Sequence, residues 1–303
     1  MTTKMTKEEL QKLDEEIQRY IENGTYPAAN QDIIKKIADC KLNDKVKDEN
    51  KYIMESYYEQ LDKLLKLDYK LLKQYLAVLK NADIKDNQCL EKVDSFLLSL
   101  HLQSERKHAV DEVLKADYLN HDILLKTHGL LLKGTPSSEF DNYHYRKNNR
   151  KFVGSWEGGK RNIQYLPLDY HDIDQTMDLF FEYYNEEETN KDNLFIKPFA
   201  IHGMIAALQV FEDGNTRLAR LLQHTKLYKL TNQFNNYDIP NPILYVTRAY
   251  YPHRNKYRSL IKDMVVDAND DTINDWMLFN LRRLEETLWK NDENINRIKL
   301  LKR

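Results

Sequence analysis

The stretch Gln209-Val-Phe-Glu-Asp-Gly-Asn-Thr-Arg-Leu-Ala-Arg220 decides how this chain is read. An acidic residue precedes Gly-Asn, an arginine follows, and a second arginine stands three places on. The Gly214-Asn215-Thr216 turn should present backbone N–H groups at a helix start, where the helix dipole favours an anion. Asp213 is placed to hold a divalent cation that bridges phosphates. Arg217 and Arg220 fall on one helical face and can neutralise the remaining charge. The pattern suits a triphosphate; the bland alternative is a helix–turn–helix joint capped by Asp213 or Asn215.

Working outward, the segment from Pro198 through Phe199, Ile201, Met204, Ile205 and Leu208 to Phe211 reads as an apolar, buried central helix. Gly203 within it points to a close packing contact. The next helix is expected over Thr216 to Leu230, then an Asn-rich loop from Asn232 to Asn241. Two long helices follow, Tyr245 to Val266 and Thr272 to Leu288. Upstream, Phe152-Val153 and Ile163-Gln164-Tyr165 flank the turn-rich Glu157-Gly158-Gly159-Lys160, a hairpin pattern. Its bland alternative is a surface hairpin with no partner.

The N-terminal third carries neither glycine nor proline between Ala28 and His128. Apolar residues recur there at helical spacing (Ile53, Tyr57, Leu61, Leu64), so three to five helices are expected, broken at Asn43-Asp44, Asn81 to Asp83 and Asn87-Gln88. Tyr118 to Leu132 reads as a further helix, with Thr135 to Ser138 as a loop. The expected organisation is an N-terminal helical region over 1–115, a second domain over 116–290 and a short C-terminal tail over 291–303, whose basic end from Arg297 reads as solvated.

Charged residues make up 31% of the 303, yet the net charge is only −2, so no strong field draws the chain to nucleic acid or a membrane. Cys40 and Cys89 match no metal spacing and suit reduced thiols. The polar N-terminus lacks a secretory core and no apolar run approaches the ~18 residues of a membrane span, so a cytoplasmic location is expected.

The Gln209–Arg220 segment resembles the signature of the Fic family, His-x-Phe-x-Asp/Glu-Gly-Asn-Gly/Lys-Arg-x-x-Arg. Phe211, Asp213, Gly214, Asn215, Arg217 and Arg220 match it. Tyr145-Arg146, Phe152-Val153-Gly154, Tyr165-Leu166-Pro167, the run Met177 to Asn185, Pro198, Ala200 and His202, Thr247-Arg248, Arg254-x-x-Tyr257 and Trp276 extend the resemblance in order. It implies an all-α, mainly helical Fic-like core with a small β-hairpin flap, preceded by the N-terminal helical region.

It also implies an activity: AMP (nucleotidyl) transfer from ATP, with Mg²⁺, to a hydroxyl side chain of a target protein. In the family a histidine takes the hydroxyl proton, and that position is Gln209 here. An amide is non-basic near neutral pH, and losing a positioned base costs on the order of 10²–10⁴ in rate. Thr216 replaces the second glycine, where a β-branched side chain would resist a positive φ. The resemblance thus assigns the catalytic positions to Gln209, Asp213 and Asn215. It assigns nucleotide and phosphate contacts to Gly214, Asn215, Thr216, Arg217, Arg220 and Tyr257, and Mg²⁺ to Asp213. Target docking falls on Phe152, Val153, Ile163, Gln164 and Tyr165, with Ser155 and Trp156 nearby.

The expected partners are a nucleotide and a docked target protein, with a homo-oligomer allowed and neither nucleic acid nor membrane expected. The alternative is a catalytically inactive Fic-like module that binds nucleotide or protein. His202 is expected to be a packed residue rather than a substitute base, and His224 to point down the next helix. No Ser/Thr-x-x-x-Glu-Gly/Asn inhibitory motif is found; Glu22 comes nearest and reads as a solvated glutamate.

Overall fold

A computed structural model of the chain describes residues 6–67, 70–73, 75, 96–135, 137, 142–157, 160–235 and 246–300. The described residues are predominantly helical, with one two-stranded antiparallel hairpin. The helices are α1 (Lys7–Glu22), α2 (Asp32–Ala38), α3 (Asp44–Leu65), α4 (Phe96–Lys115), α5 (His121–Leu132), α6 (Ile173–Asn185), α7 (Asn193–Leu208), α8 (Asn215–Asn235), α9 (Thr247–Tyr250), α10 (Arg254–Val266) and α11 (Asp270–Leu300). The hairpin strands are β1 (Val153–Glu157) and β2 (Lys160–Tyr165), with Val153 opposite Tyr165 and a bulge after Val153.

Polar residues start the helices as their chemistry predicts. Thr6 and Glu9 form a capping box at α1, and Asn43 and Asn120 accept from the third residue of α3 and α5. The expected break at Asn43-Asp44 is therefore the cap of α3. The breaks expected at Asn81 to Asp83 and Asn87-Gln88, and Cys89, lie outside the described residues.

Helix α7 is the centre. From Leu194 to Leu208 every residue is buried, including Lys197 and His202, which is why its sequence shows no polar face. It packs against α8, α10, α11 and α2. Gly203 permits this: a Cβ there would stand 2.9 Å from Trp276 Nε1 and 3.3 Å from Met264 Cε. Trp276, fully buried, donates its indole N–H to the Phe199 carbonyl at 2.9 Å. The N-terminal helices share this core: α3 packs along α11, and the Tyr57 and Phe195 rings meet edge to face at 5.7 Å.

Several boundaries differ from expectation. Helix α7 begins at Asn193, five residues before Pro198, and ends at Leu208, so Phe211 lies beyond it. The expected helix from Tyr245 to Val266 is divided into α9, a 3₁₀ turn over Tyr251–His253, and α10, because Pro252 cannot donate a helical hydrogen bond. Asn232 to Asn235 continue α8 rather than opening a loop, and the rest of that loop lies outside the described residues. The last helix reaches Leu300 instead of ending at Leu288. No helix among the described residues is long and apolar enough to cross a membrane.

The N-terminal helix binds the hairpin through a small cluster separate from the main core. Leu13 and Ile17 bury against Leu166, with Phe152 and Ile163 packed alongside. Arg161 pairs with Glu16 at 2.8 Å. Pro27 to Ala29 then make a parallel bridge to Leu166, with Leu166 N–H donating to Pro27 at 2.8 Å and Ala29 N–H to Leu166 at 2.9 Å.

Candidate active site

The loop from Gln209 to Gly214 joins α7 to α8, and its backbone is fixed from outside. Five successive carbonyls each accept from another segment. Arg146 Nε donates to Gln209 O and Arg146 N–H to Val210 O, both at 3.1 Å. Lys151 Nζ donates to Phe211 O at 3.2 Å and Glu212 O at 2.8 Å. His128 Nε2 lies 2.9 Å from Asp213 O. Asn215 closes the loop from within: its amide donates to Phe211 O and accepts from Phe211 N–H, both at 2.9 Å.

Two residues turn the chain through left-handed conformations. Gly214 has φ +77°, and a Cβ there would stand 2.8 Å from the Leu132 side chain, so the position needs glycine on two counts. Gln209 has φ +54° as the C-cap of α7. Thr216 lies inside α8, so the strain expected of its β-branch does not arise; the positive φ belongs to its neighbour.

Asp213 sits at the head of α8. Its Oδ1 accepts from Gly214 N–H at 2.6 Å; its Oδ2 accepts from Arg217 Nη2 at 3.0 Å and from the Ser137 hydroxyl. Burial alone would raise this carboxyl, but Ser137, Arg217, the Gly214 amide and Lys151 hold it below its ordinary value. The side chain nevertheless remains about half exposed, at 47%. Burial draws the Lys151 ammonium down to about 8 and His128, stacked on Phe211, down to about 4.

A cavity of about 510 Å³ opens above this loop. Gln209, Asp213, Thr216 and Arg220 line one side; Phe152, Val153, Gly154, Ser155, Gln164 and Tyr165 of the hairpin region line another; Tyr250, Arg254, Tyr257 and Arg258 close a third. Arg217, adjoining through Asp213, is turned to that carboxylate and Ser137. Ile163 faces the α1 cluster. The expected single face of Arg217 and Arg220 therefore divides its work.

Gln209 is buried, and its Nε2 donates to Ala206 O at 2.7 Å. His202 is fully buried, its Nδ1–H directed at Gln223 Oε1 and its Nε2 at the Tyr257 hydroxyl, 2.8 Å away. Burial lowers it to about 3, as befits a packed neutral ring. Tyr257 thus presents its ring to the cavity while its hydroxyl is engaged inside. Glu22 is exposed and accepts from Gln18 on its own helix.

Sequence reasoning missed Ser137, Lys151, Arg146 and His128 as builders of this loop, and Arg258 as a cavity residue. Two of these carried a signal: Arg146 lies in the resemblance upstream of the hairpin, and Lys151 stands beside it. Ser137 is 76 residues from Asp213 and nothing local links them.

Residues 118–227 match the model of the Fic/DOC family. Among solved structures, a Fic family protein from Desulfovibrio desulfuricans G20 is similar at 14% identity and TM-score 0.49, over 96% of this chain and 76% of that one. No match was found among curated proteins.

Proposed function

We propose that the cavity binds a nucleoside polyphosphate with Mg²⁺ and that the domain transfers its nucleotidyl group to a hydroxyl of a target protein, slowly, because Gln209 stands where a base is needed. The observation that carries this is the shared cavity. Asp213, Thr216 and Arg220 meet there at the start of α8, opposite the hairpin. The first turn of a helix offers N–H groups without intrahelical acceptors, which suit phosphate oxygens. Arg220 adds a charge-assisted donor.

The donor set fits a cation carried in by the nucleotide. Asp213 supplies one carboxylate with appreciable exposure, and among the described residues no group of three His, Cys, Asp or Glu forms a protein cage. Mg²⁺ is commonly held by one or two carboxylates plus substrate phosphates, and there it would neutralise phosphate charge. Arg217 and Ser137 would keep the Asp213 carboxylate ionised and aimed. The hairpin would align an extended target segment by edge pairing, with Val153 and Gln164 at the cavity wall.

The second reading, a module that binds nucleotide or partner without catalysis, is favoured by one contact. The Gln209 amide is committed to Ala206, so it neither accepts a proton nor reaches freely into the cavity. Calorimetry with ADP and ATP plus Mg²⁺ tests the binding step, with dissociation constants expected between micromolar and millimolar, roughly −8 to −4 kcal/mol. Absence of binding at several millimolar overturns the first reading and leaves the second only in its partner-binding form. Incorporation of labelled ATP separates them.

A further inference from the structure

Two tyrosines of the cavity wall are held from behind by one histidine. Tyr250 and Tyr257 both line the cavity, with their ring centroids 5.4 Å apart. Their hydroxyls are nevertheless spent in a buried polar network. The Tyr257 hydroxyl donates to His202 Nε2 at 2.8 Å, and His202 Nδ1–H is directed at Gln223 Oε1. The Tyr250 hydroxyl lies 3.2 Å from the same Gln223 oxygen and 2.5 Å from Asn280 Oδ1. Asn280 Nδ2 in turn donates to Trp276 O at 2.7 Å.

The network requires one tautomer. Burial keeps His202 neutral, so its ring has one N–H and one acceptor nitrogen. Gln223 Oε1 can only accept, which puts the proton on Nδ1 and leaves Nε2 to receive the Tyr257 hydroxyl. Each tyrosine is thus fixed at its far end. The His202 ring also meets the Tyr250, Tyr257 and Trp276 rings at centroid distances of 5.7, 5.6 and 5.2 Å, filling the space behind both tyrosines.

Core packing alone does not call for these polar groups. The neighbouring buried positions of α7 are Ile201, Met204 and Ile205, and replacing both partners of a buried hydrogen bond by apolar groups of the same shape is nearly neutral for stability. What a fully satisfied network adds is a single arrangement, where apolar packing tolerates several. It also ties that arrangement to the phosphate end of the cavity. Gln223 stands one turn beyond Arg220 on α8, and Arg220 lines the same space. An aromatic ring already fixed in place loses less freedom when a planar base stacks on it.

We propose that His202 is a positioning residue for the nucleoside end of the ligand: directly at Tyr257, and through Gln223 at Tyr250, it holds two rings as one wall for the base. The inference rests on the nucleotide-binding reading and assigns the aromatic wall to the base, with the phosphates at the head of α8. His202 acts through the tyrosines and takes no proton.

Calorimetry on the full chain tests this with ADP and with tripolyphosphate, each with Mg²⁺, so that only one of the two ligands carries a nucleoside. Tyr257→Phe keeps the ring and removes its hydroxyl anchor. It should weaken ADP about threefold to tenfold, the cost of ordering one side chain on binding, and leave tripolyphosphate unchanged within about twofold. His202→Leu should do the same. His202→Gln, whose amide supplies one donor and one acceptor, should recover most of the ADP affinity. A loss shared equally by both ligands overturns the inference, because the network would then only support the fold. Unchanged ADP affinity in Tyr257→Phe overturns it as well. If His202→Leu does not fold, Tyr257→Phe decides alone. If the unaltered chain binds ADP but not tripolyphosphate, the ADP loss in Tyr257→Phe at an unchanged melting transition decides. Failure of the unaltered chain to bind either ligand at several millimolar overturns the nucleotide-binding reading and this inference together, whereas ADP binding that no variant moves overturns the inference alone.

Discussion

The Gln209 side-chain amide donates to the Ala206 carbonyl at 2.7 Å, closing the last turn of the central helix with the group that stands in the expected base position. Helix ends leave carbonyls without intrahelical donors, and this contact satisfies one of them. Gln209→His exchanges that cap for an imidazole of ordinary pKa near 6.5, able to take a hydroxyl proton at pH 7. Incorporation of labelled ATP into lysate proteins, or into the chain itself, should rise by about 10²-fold or more. Adding Asp213→Ala should abolish the gain. Equal incorporation by the unaltered chain would mean that another group acts as base.

Arg217 has its larger effect through Asp213. Arg217→Ala removes a charge-assisted contact and leaves the carboxylate its hydrogen bonds from Ser137 and Gly214 and the charge of Lys151. Binding of ADP with Mg²⁺ should weaken by about 1.5–3 kcal/mol, roughly tenfold to a hundredfold. Titration calorimetry would detect this, and an unchanged affinity would remove Arg217 from the site.

The two buried histidines make stability depend on pH. His202 and His128, lowered by burial to about 3 and about 4, stay neutral in the fold, whereas the unfolded chain takes up protons below pH ~6.5. Their contribution is full above that pH and is lost as pH falls toward the folded values. Between pH 7 and pH 5 each should cost roughly 1–2 kcal/mol. Denaturant midpoints at the two pH values should differ less in His202→Phe than in the unaltered chain.

At Gly203 an added methyl would press on Trp276 and Met264 inside the core. Gly203→Ala should lower stability by about 1–3 kcal/mol despite its better helix propensity. A thermal melt that moves upward would contradict this packing.

Helix α1 restrains the hairpin through few contacts, so it should open before the main core does. Ile17→Ala should raise tryptic cleavage at Lys151 and Arg161 while leaving cleavage within the α7–α8 core unchanged. Uniform protection in the variant would show that the hairpin holds itself.

The helical class, the hairpin and the loop sequence were legible because each is a local property. Alternating residues around a Gly-Gly turn specify a hairpin, and the continuous apolar run before Gln209 specifies a buried helix. Pro252 is legible in the sequence too, and its missing N–H divides the helix despite the helical periodicity around it. What local pattern could not yield is the set of grips on the loop. Arg146, Lys151 and His128 act on backbone carbonyls, and a carbonyl is the same at every position in a sequence. The division between Arg217 and Arg220 was hidden for a related reason, since Ser137 reaches Asp213 only in three dimensions.

The five gripped carbonyls from Gln209 to Asp213 have an evolutionary consequence. Apart from Gly214 and Asn215, whose own chemistry shapes the turn, the loop's path is set by grips on its main chain more than by the side chains it displays. Residue 209 can therefore exchange its side chain while the scaffold beneath keeps its shape.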